Sequence, residues 1–359
     1  MATMKQVAER AGVSTSTVSH VINATRAVSE DVRVRVLATI DEMGYIPNAM
    51  ARSLKNDKSH TIGVSIPDNT DPCLAELLRG IEDAAFEVGY TIMLCNGYQD
   101  ARRQAAHLRS LIEKRIDGLI LVAGAGRDEL APLLASQRVP IVLADHEVPS
   151  VEADFIGLDH EATGHAAARH LIELGHRRIA CVAGPRAEPH SQERIAGLRR
   201  ALDEAGIGLA PHYLVHGAPD CAGGHDAVRG LLALGVPPTA IFACNDLMAL
   251  GGLCAAREAG VAVPQDLSVL GGDDLGMAAY ATPRLSSVAQ PTYEMGRRLT
   301  ALLIARVRGE GGARRYERLA GRLVARQSTA PAPALPIPAE HDIARLHNTA
   351  IAKSTDPHV

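Results

Sequence analysis

The sequence predicts an α plus α/β protein: an N-terminal three-helix unit and a short further helix, then a two-lobed body of two doubly wound parallel sheets. Three observations lead there. The first 46 residues hold three short helical patterns parted by turn signals, short β-branched runs alternate with amphipathic stretches from Thr61 onward, and this alternation passes through two cycles. A chain of 359 residues, 47% of them hydrophobic, exceeds one compact core and can fill two or three.

Met4 to Ala11 reads as a helix with Val7, Ala8 and Ala11 on one face, ended by Gly12, which enters the left-handed backbone of a tight turn at no steric cost. Ser14 then stands as the N-cap of Thr15 to Asn23. Val18, Val21 and Ile22 recur there at helical spacing, and Thr15, Ser16, Ser19 and His20 make a short polar face opposite. The spacing of Ala8, Gly12 and Val18 is the packing skeleton of a helix-turn-helix, whose second helix can press small hydroxyl side chains against base edges in a major groove. The same skeleton also fits a helical hairpin that merely packs on a neighbour. A third helix, capped by Ser29 and ended by Gly44, carries Val32, Val36, Ile40 and Met43 inward and Arg33 and Arg35 outward. In the following Tyr45 to Lys55, Pro47 suits a first helical turn, and Leu54 is an apolar wedge between Ser53 and Lys55, suited to minor-groove intercalation.

In the body, strands are expected over Thr61–Ile66, Thr91–Leu94, Gly118–Val122, Pro140–Leu143, Asp154–Leu158, Ile179–Ala183, Ala240–Ala243 and Ser268–Gly271. Helices are expected over Leu74–Val88, Arg102–Lys114, His160–Leu174, Gln192–Ala205 and Asp246–Ala259. Open parallel sheets bind ligands at the carboxyl ends of their strands, which makes the polar residues there informative: Asp145, Asn245 with Asp246, Asp273 with Asp274, and Gln290. Taken alone, such residues are more often turn formers and helix caps.

Composition excludes several classes. The net charge of −4 divides into +2 over residues 1 to 60, where eight Lys or Arg meet six acids, and −6 over the rest, a mild hint of a DNA-facing end. No apolar run could span a bilayer, and Lys5, Glu9 and Arg10 occupy the place of a signal peptide's apolar core, so a cytoplasmic protein without membrane contact is expected. Six cysteines without a C-x-x-C pair suggest free thiols, with neither disulfide nor metal site. His160, His165, His170 and His176 scatter around a helix, and Gly124-Ala125-Gly126 lacks the rest of a dinucleotide fingerprint, so no cofactor is expected. No catalytic constellation emerges from spacing, which sets an enzyme aside.

The run Met1 to Lys5, then VAERAGVSTSTVSHVIN (Val7 to Asn23), Arg26, Val28-Ser29-Glu30 and YIPNAMARSLK (Tyr45 to Lys55) resembles the lactose and galactose repressor family, nearest to its ribose and purine repressors. The resemblance continues to about residue 330. It implies a helix-turn-helix domain over 1–46, a hinge helix over 47–58, and a periplasmic-binding-protein-like body over 59–330. Within the body it implies one lobe at about 59–158 and 291–318, a second at about 159–290 and 319–330, and a disordered tail over 331–359. The partners it implies are a palindromic double-stranded DNA operator, a second copy of the chain and a small-molecule effector. DNA contacts are then expected from Lys5, Ser14, Thr15, Ser16, Ser19, His20, Asn23, Arg26, Ala51, Arg52, Leu54 and Lys55.

The same resemblance lines an effector pocket between the lobes with Asp71, Asp145, His146, Arg194, Asn245, Asp273 and Gln290. Carboxylates, an amide and an arginine suit a ligand rich in hydroxyls, such as ribose or another sugar, and hence a repressor of a carbohydrate-use operon. Where ribose and purine members carry aromatics, this chain has Asp71-Pro72-Cys73-Leu74, His146 and Pro219, and it has no Trp and only three Phe. A flat purine corepressor is therefore disfavoured, and which sugar binds stays open. The rivals are a nucleobase-dependent regulator, a solute-binding protein and an α/β enzyme. After Ser328 the proline-rich run Thr329 to Pro338 reads as a linker, and the scattered Ile343, Leu346 and Ile351 are too few for a tetramerising leucine heptad, which favours a dimer.

Overall fold

A computed structural model of the chain describes residues 2–23, 25–46, 58–97, 100–122, 127–148 and 150–333. Ala51, Arg52, Leu54 and Lys55, expected in a hinge helix, and the expected disordered tail from 334 lie outside the described residues. Two compact units result. The first comprises Met1–Asn69, Arg79–Phe155 and Gly296–Arg315, and the second Thr70–Leu78, Ile156–Met295 and Tyr316–Val359.

The N-terminal helices are α1 (Met4–Ala11), α2 (Thr15–Asn23) and α3 (Glu30–Met43). Val7, Ala8, Ala11, Val18 and Val36 form their core, joined by Tyr45 from beyond the end of α3. Gly12 takes φ +66° at the turn, as the skeleton requires.

One sheet contains β1 (Thr61–Ile66), β2 (Thr91–Asn96), β3 (Gly118–Val122), β4 (Ile141–Ala144), β5 (Asp154–Leu158) and β11 (Tyr316–Leu319), in the order β11-β5-β4-β3-β1-β2. Its β1 pairs in parallel with both β2 and β3. The accompanying helices are α4 (Pro72–Glu87), α5 (Ala101–Glu113), α6 (Arg127–Ala135) and α11 (Thr292–Val307). The other sheet contains β6 (Ile179–Ala183), β7 (Leu214–His216), β8 (Ala240–Ala243), β9 (Ser268–Gly271), β10 (Ser286–Ala289) and β12 (Arg322–Val324). Its order is β7-β6-β8-β9-β10-β12, parallel except where β12 pairs antiparallel with β10.

Continuous apolar runs make this second sheet because both of its faces are covered. Ala180, Val182, Ile241, Ala243 and Val269 enter one core, and Ile179, Cys181, Ala183, Ala240, Phe242 and Leu270 the other, with the two-residue period of a pleat.

The covering helices come as two like pairs. In α7 (His160–Glu173) with α8 (Pro189–Glu204), a Cβ on Gly164 would run into the Arg194 backbone, and one on Gly197 into the Glu161 carbonyl. In α9 (Cys221–Leu232) with α10 (Asp246–Glu258), Gly224 stands in the same way against Met248 and Gly251 against Cys221. The helix Cys221–Leu232 was not among the expected elements, and glycine is what lets these two backbones touch.

Also unexpected were α6, with Pro132 inside it, and α11. Thr329 to Ala332, read as the start of a linker, are tied into the second unit: His170 meets Thr329 Oγ1 at 3.0 Å, Ala330 N donates to Ser268 Oγ at 3.1 Å, and Ala332 N donates to the Leu174 carbonyl at 2.8 Å. No helix among the described residues is long and apolar enough to cross a membrane.

Candidate functional site

The DNA-reading candidate is α2. Ser14 Oγ accepts the Thr17 N–H at 3.1 Å, so its hydroxyl serves as the expected N-cap. Thr15 and Ser16 are exposed on the first turn. Asn23 Nδ2 donates to the Ser19 carbonyl and hydroxyl at 2.8 and 3.3 Å, and His20 Nδ1 meets Thr25 Oγ1 at 2.8 Å, which fixes the last turn against the following loop. Lys5 and Arg26 are exposed, Lys5 lying 3.9 Å from Glu9. Thr3 and Gln6 close a capping box at the start of α1. Ser29 departs from expectation: it holds the N-cap position of α3 without a side-chain cap bond, while Glu30 pairs with Arg33 at 2.7 Å.

In the second unit, polar residues gather where the carboxyl ends of β8, β9 and β10 meet α8. The order around β6 and β8 reverses the direction of winding, which opens a crevice at this edge of such a sheet. Arg194, 6% exposed, reaches in from α8. Its Nη1 donates to Asp273 Oδ1 at 3.0 Å and to the Cys244 carbonyl, and its Nε donates to His160 Nδ1 at 3.2 Å. Burial opposes the Arg194 charge, but Asp273, Cys244 and Cys73 together raise the guanidinium pKa.

Asp246, fully buried, is the brace behind this pair. It accepts from Ser287 Oγ at 2.6 Å, Leu275 N at 2.8 Å and Asp273 N at 3.2 Å, and its own N–H donates to Asp273 Oδ2 at 3.1 Å. Burial and then the neighbouring Asp273 charge push its carboxyl up to about 6, against the hydrogen bonds that favour its charged form.

Gln290 is 9% exposed. Its Nε2 faces the Gly272 and Val288 carbonyls at 2.9 and 3.2 Å and Thr163 Oγ1 at 3.0 Å. Two carbonyls can only be met by the amide nitrogen, which sets the orientation of the group. Its Oε1 is consequently a buried acceptor with no hydrogen-bond partner among the described residues. Asn245 is half-buried and caps α10, accepting the Met248 N–H at 2.7 Å and donating to the Pro219 carbonyl at 3.1 Å.

Asp71 accepts the Cys73 N–H at 2.8 Å. The Cys73 thiol is pushed up by burial and then by Asp273 and Asp71. Asp145 and His146 follow β4 in the first unit, Asp145 with φ +65°, an uncommon backbone for a non-glycine residue at a strand end.

Of the residues expected to line a pocket, Asp71, Arg194, Asn245, Asp273 and Gln290 lie in the second unit, where His160 and His190, not among those expected, stand beside Arg194. The two rings lie 4.2 Å apart, and His160 orients Arg194. The signal for His160 was its position directly after a strand and the Asp159 cap, obscured by reading the histidines as a set. The structure sends the others elsewhere: His165 to Glu204 at 2.9 Å, His170 to Thr329, and buried His176 to Thr239 and Ser268, both at 3.0 Å.

Residues 3–48 match the bacterial regulatory proteins of the lacI family, and residues 168–329 match a periplasmic binding protein-like domain. The chain is 42% identical over 308 residues to the ribose operon repressor of Escherichia coli strain K12, covering 86% of this chain and 93% of that one. It is 38% identical over 329 residues to the HTH-type transcriptional repressor PurR of Photobacterium profundum, covering 91% and 98%. Among solved structures it resembles a lac repressor dimer bound to operator and the anti-inducer ONPF, with a TM-score of 0.84, 28% identity, and coverage of 92% of this chain and 99% of that one. A helix-turn-helix with a capped second helix, on a two-sheet body with a polar strand-end cluster, thus meets relatives that match along nearly its whole length: the chain belongs to the lacI family of bacterial regulatory proteins, as an effector-controlled DNA-binding transcription regulator and not an enzyme.

Proposed function

We propose that this regulator is a dimeric repressor of a carbohydrate-use operon whose effector is a sugar of the ribose class, held by the polar cluster of the second unit. The carrying observation is Gln290 Oε1, a buried acceptor without a donor among the described residues, beside the Arg194–Asp273 pair. A sugar hydroxyl supplies a donor to that oxygen, which otherwise carries a desolvation cost of about 1–3 kcal/mol. A purine would need flat stacking partners, and His160 and His190 are the rings at hand. The name of the ribose operon repressor among the relatives favours the sugar, and that of the PurR repressor keeps a nucleobase corepressor as the second reading.

On the DNA side, Thr15 and Ser16 are the base-reading candidates because they are exposed on the first turn of α2, with Lys5 and Arg26 serving phosphates. Ser14, Ser19, Asn23 and His20 contribute by shaping that helix. Residues 47–58 act as the hinge, with Arg52 and Lys55 on the backbone and Leu54 as a minor-groove wedge beside Ala51. Exposed Phe86 and Val88 in the first unit, and Met277 and Tyr280 in the second, offer apolar surface for the second copy. The protein works in the cytoplasm, on the nucleoid when operator-bound.

Calorimetric titration of the full chain with ribose, other pentoses and hexoses, and purine bases tests the reading. A sugar should bind, change operator affinity, and lose affinity about tenfold or more in Gln290→Met, from the loss of one to two hydrogen bonds. Binding of a purine but no sugar would replace this reading by the corepressor one.

A further inference from the structure

The paired helices of the second unit present the same four-position lattice twice. In α7 and α8 it holds Glu161 and His165, one turn apart, opposite Arg200 and Glu204, one turn apart. Gly197 backs onto the Glu161 carbonyl and the His165 amide. His165 Nε2 meets Glu204 at 2.9 Å, and the Arg200 guanidinium closes the lattice, pairing with Glu161 and lying 3.9 Å from Glu204.

In α9 and α10 the corresponding positions are Cys221, His225, Cys254 and Glu258, and Gly251 backs onto the Cys221 carbonyl and the His225 amide. The His–Glu pair is retained at 2.9 Å, while the arginine and its glutamate are replaced by two thiols. The lattice has therefore exchanged an arginine–glutamate ion pair for two groups whose deprotonated forms bind soft cations.

We infer that Cys221, His225, Cys254 and Glu258 form a binding site for a zinc-class divalent ion that clamps α9 to α10. One donor atom each of His225, Cys254 and Glu258 lie within 4.8 Å of one another, and Cys254 Sγ is 3.5 Å from Glu258 Oε1. Tetrahedral zinc, at about 2.0–2.3 Å from nitrogen, oxygen and sulfur, needs donor separations of roughly 3.3–3.8 Å, which small side-chain rotations reach. Cys221 is the fourth donor, one turn before His225 on the same helix face. Both thiols are exposed, so an ion enters from solvent and each thiol releases its proton on binding. Asp226 Oδ1, 3.4 Å from His225 Nδ1, is placed to orient the ring once Nε2 turns to the metal. The site stands on geometry separate from the effector cluster and is independent of the proposed sugar.

The test uses the full chain, metal-free and kept under a non-chelating reductant, titrated with Co²⁺ and then Zn²⁺. One equivalent of Co²⁺ should give thiolate-to-cobalt absorption that one equivalent of Zn²⁺ removes, and Zn²⁺ should raise the melting temperature. His225→Ala and Glu258→Gln should each weaken Zn²⁺ about tenfold or more in chelator competition. The pair Cys221→Ser with Cys254→Ser should abolish the cobalt band while keeping the metal-free melting temperature, and Cys95→Ser, in the other unit, should change nothing. Unaltered stoichiometry and affinity in the double serine variant, or loss of the band in Cys73→Ser instead, would overturn the assignment, as would a parent chain that takes up no ion.

Discussion

Arg194→Met is the sharpest perturbation of the second unit. The side chain it removes is buried and supplies three donated contacts, to Asp273, the Cys244 carbonyl and His160. Asp273 would then sit buried with Asp246 N as the remaining donor to its carboxylate, next to a second carboxylate. Removing one partner of a buried ion pair costs about 3–5 kcal/mol. The double variant Arg194→Met with Asp273→Asn removes the stranded charge and should recover more than half of that loss, since the asparagine oxygen still accepts from Asp246 N. Urea unfolding at pH 8 and pH 5 measures both effects. The single variant's penalty should shrink at pH 5, because the unpaired carboxylates relieve their repulsion by taking up protons. A penalty under about 1 kcal/mol, equal at both pH values and untouched by the second substitution, would refute the view of this pair as the buried hub of the cluster.

Asp246 gives a pH dependence of its own. Its carboxyl is raised to about 6 in the folded chain against 3.8 for an unperturbed one, so the folded state binds more protons between those values. Its contribution to stability is present in full below about pH 4 and is lost as pH rises through 6, about 3 kcal/mol in all at 1.36 kcal/mol per pKa unit. Asp246→Asn should remove this slope from stability measured between pH 4 and 7.5, whatever its own cost; an unchanged slope would assign it to other groups. Ser14→Ala removes the N-cap of α2 and should cost about 1 kcal/mol, read as a lower melting temperature of the N-terminal domain and weaker operator binding. Gly251→Val forces a side chain into the Cys221 carbonyl and should destabilise the second unit by more than about 3 kcal/mol, whereas exposed Gly230→Ala on the same α9 should be neutral or slightly stabilising in a thermal melt.

Local signals in the sequence were enough for the helix-turn-helix, because Gly12, the Ser14 cap and the spacing of Val7, Ala8, Ala11 and Val18 act over a few residues. They were enough as well for every strand whose apolar run is buried on both faces, such as Gly118–Val122 and Ile179–Ala183. The strand ends then pointed to Asp273 and Gln290. What they could not determine was which of these polar groups face one another, since Arg194 meets Asp273 across 79 residues and Gln290 meets Thr163 across 127. Asn245 and Asp246 read alike as polar residues at a strand end, yet the first caps a helix and the second braces the cluster, because adjacent positions at a strand end point in different directions. The thiols at 221 and 254 show no metal spacing along the chain. Only the close approach of two helices through Gly224 and Gly251 brings the second pair of donors to the first, and backbone packing at that range is a property of the fold rather than of any local run of residues.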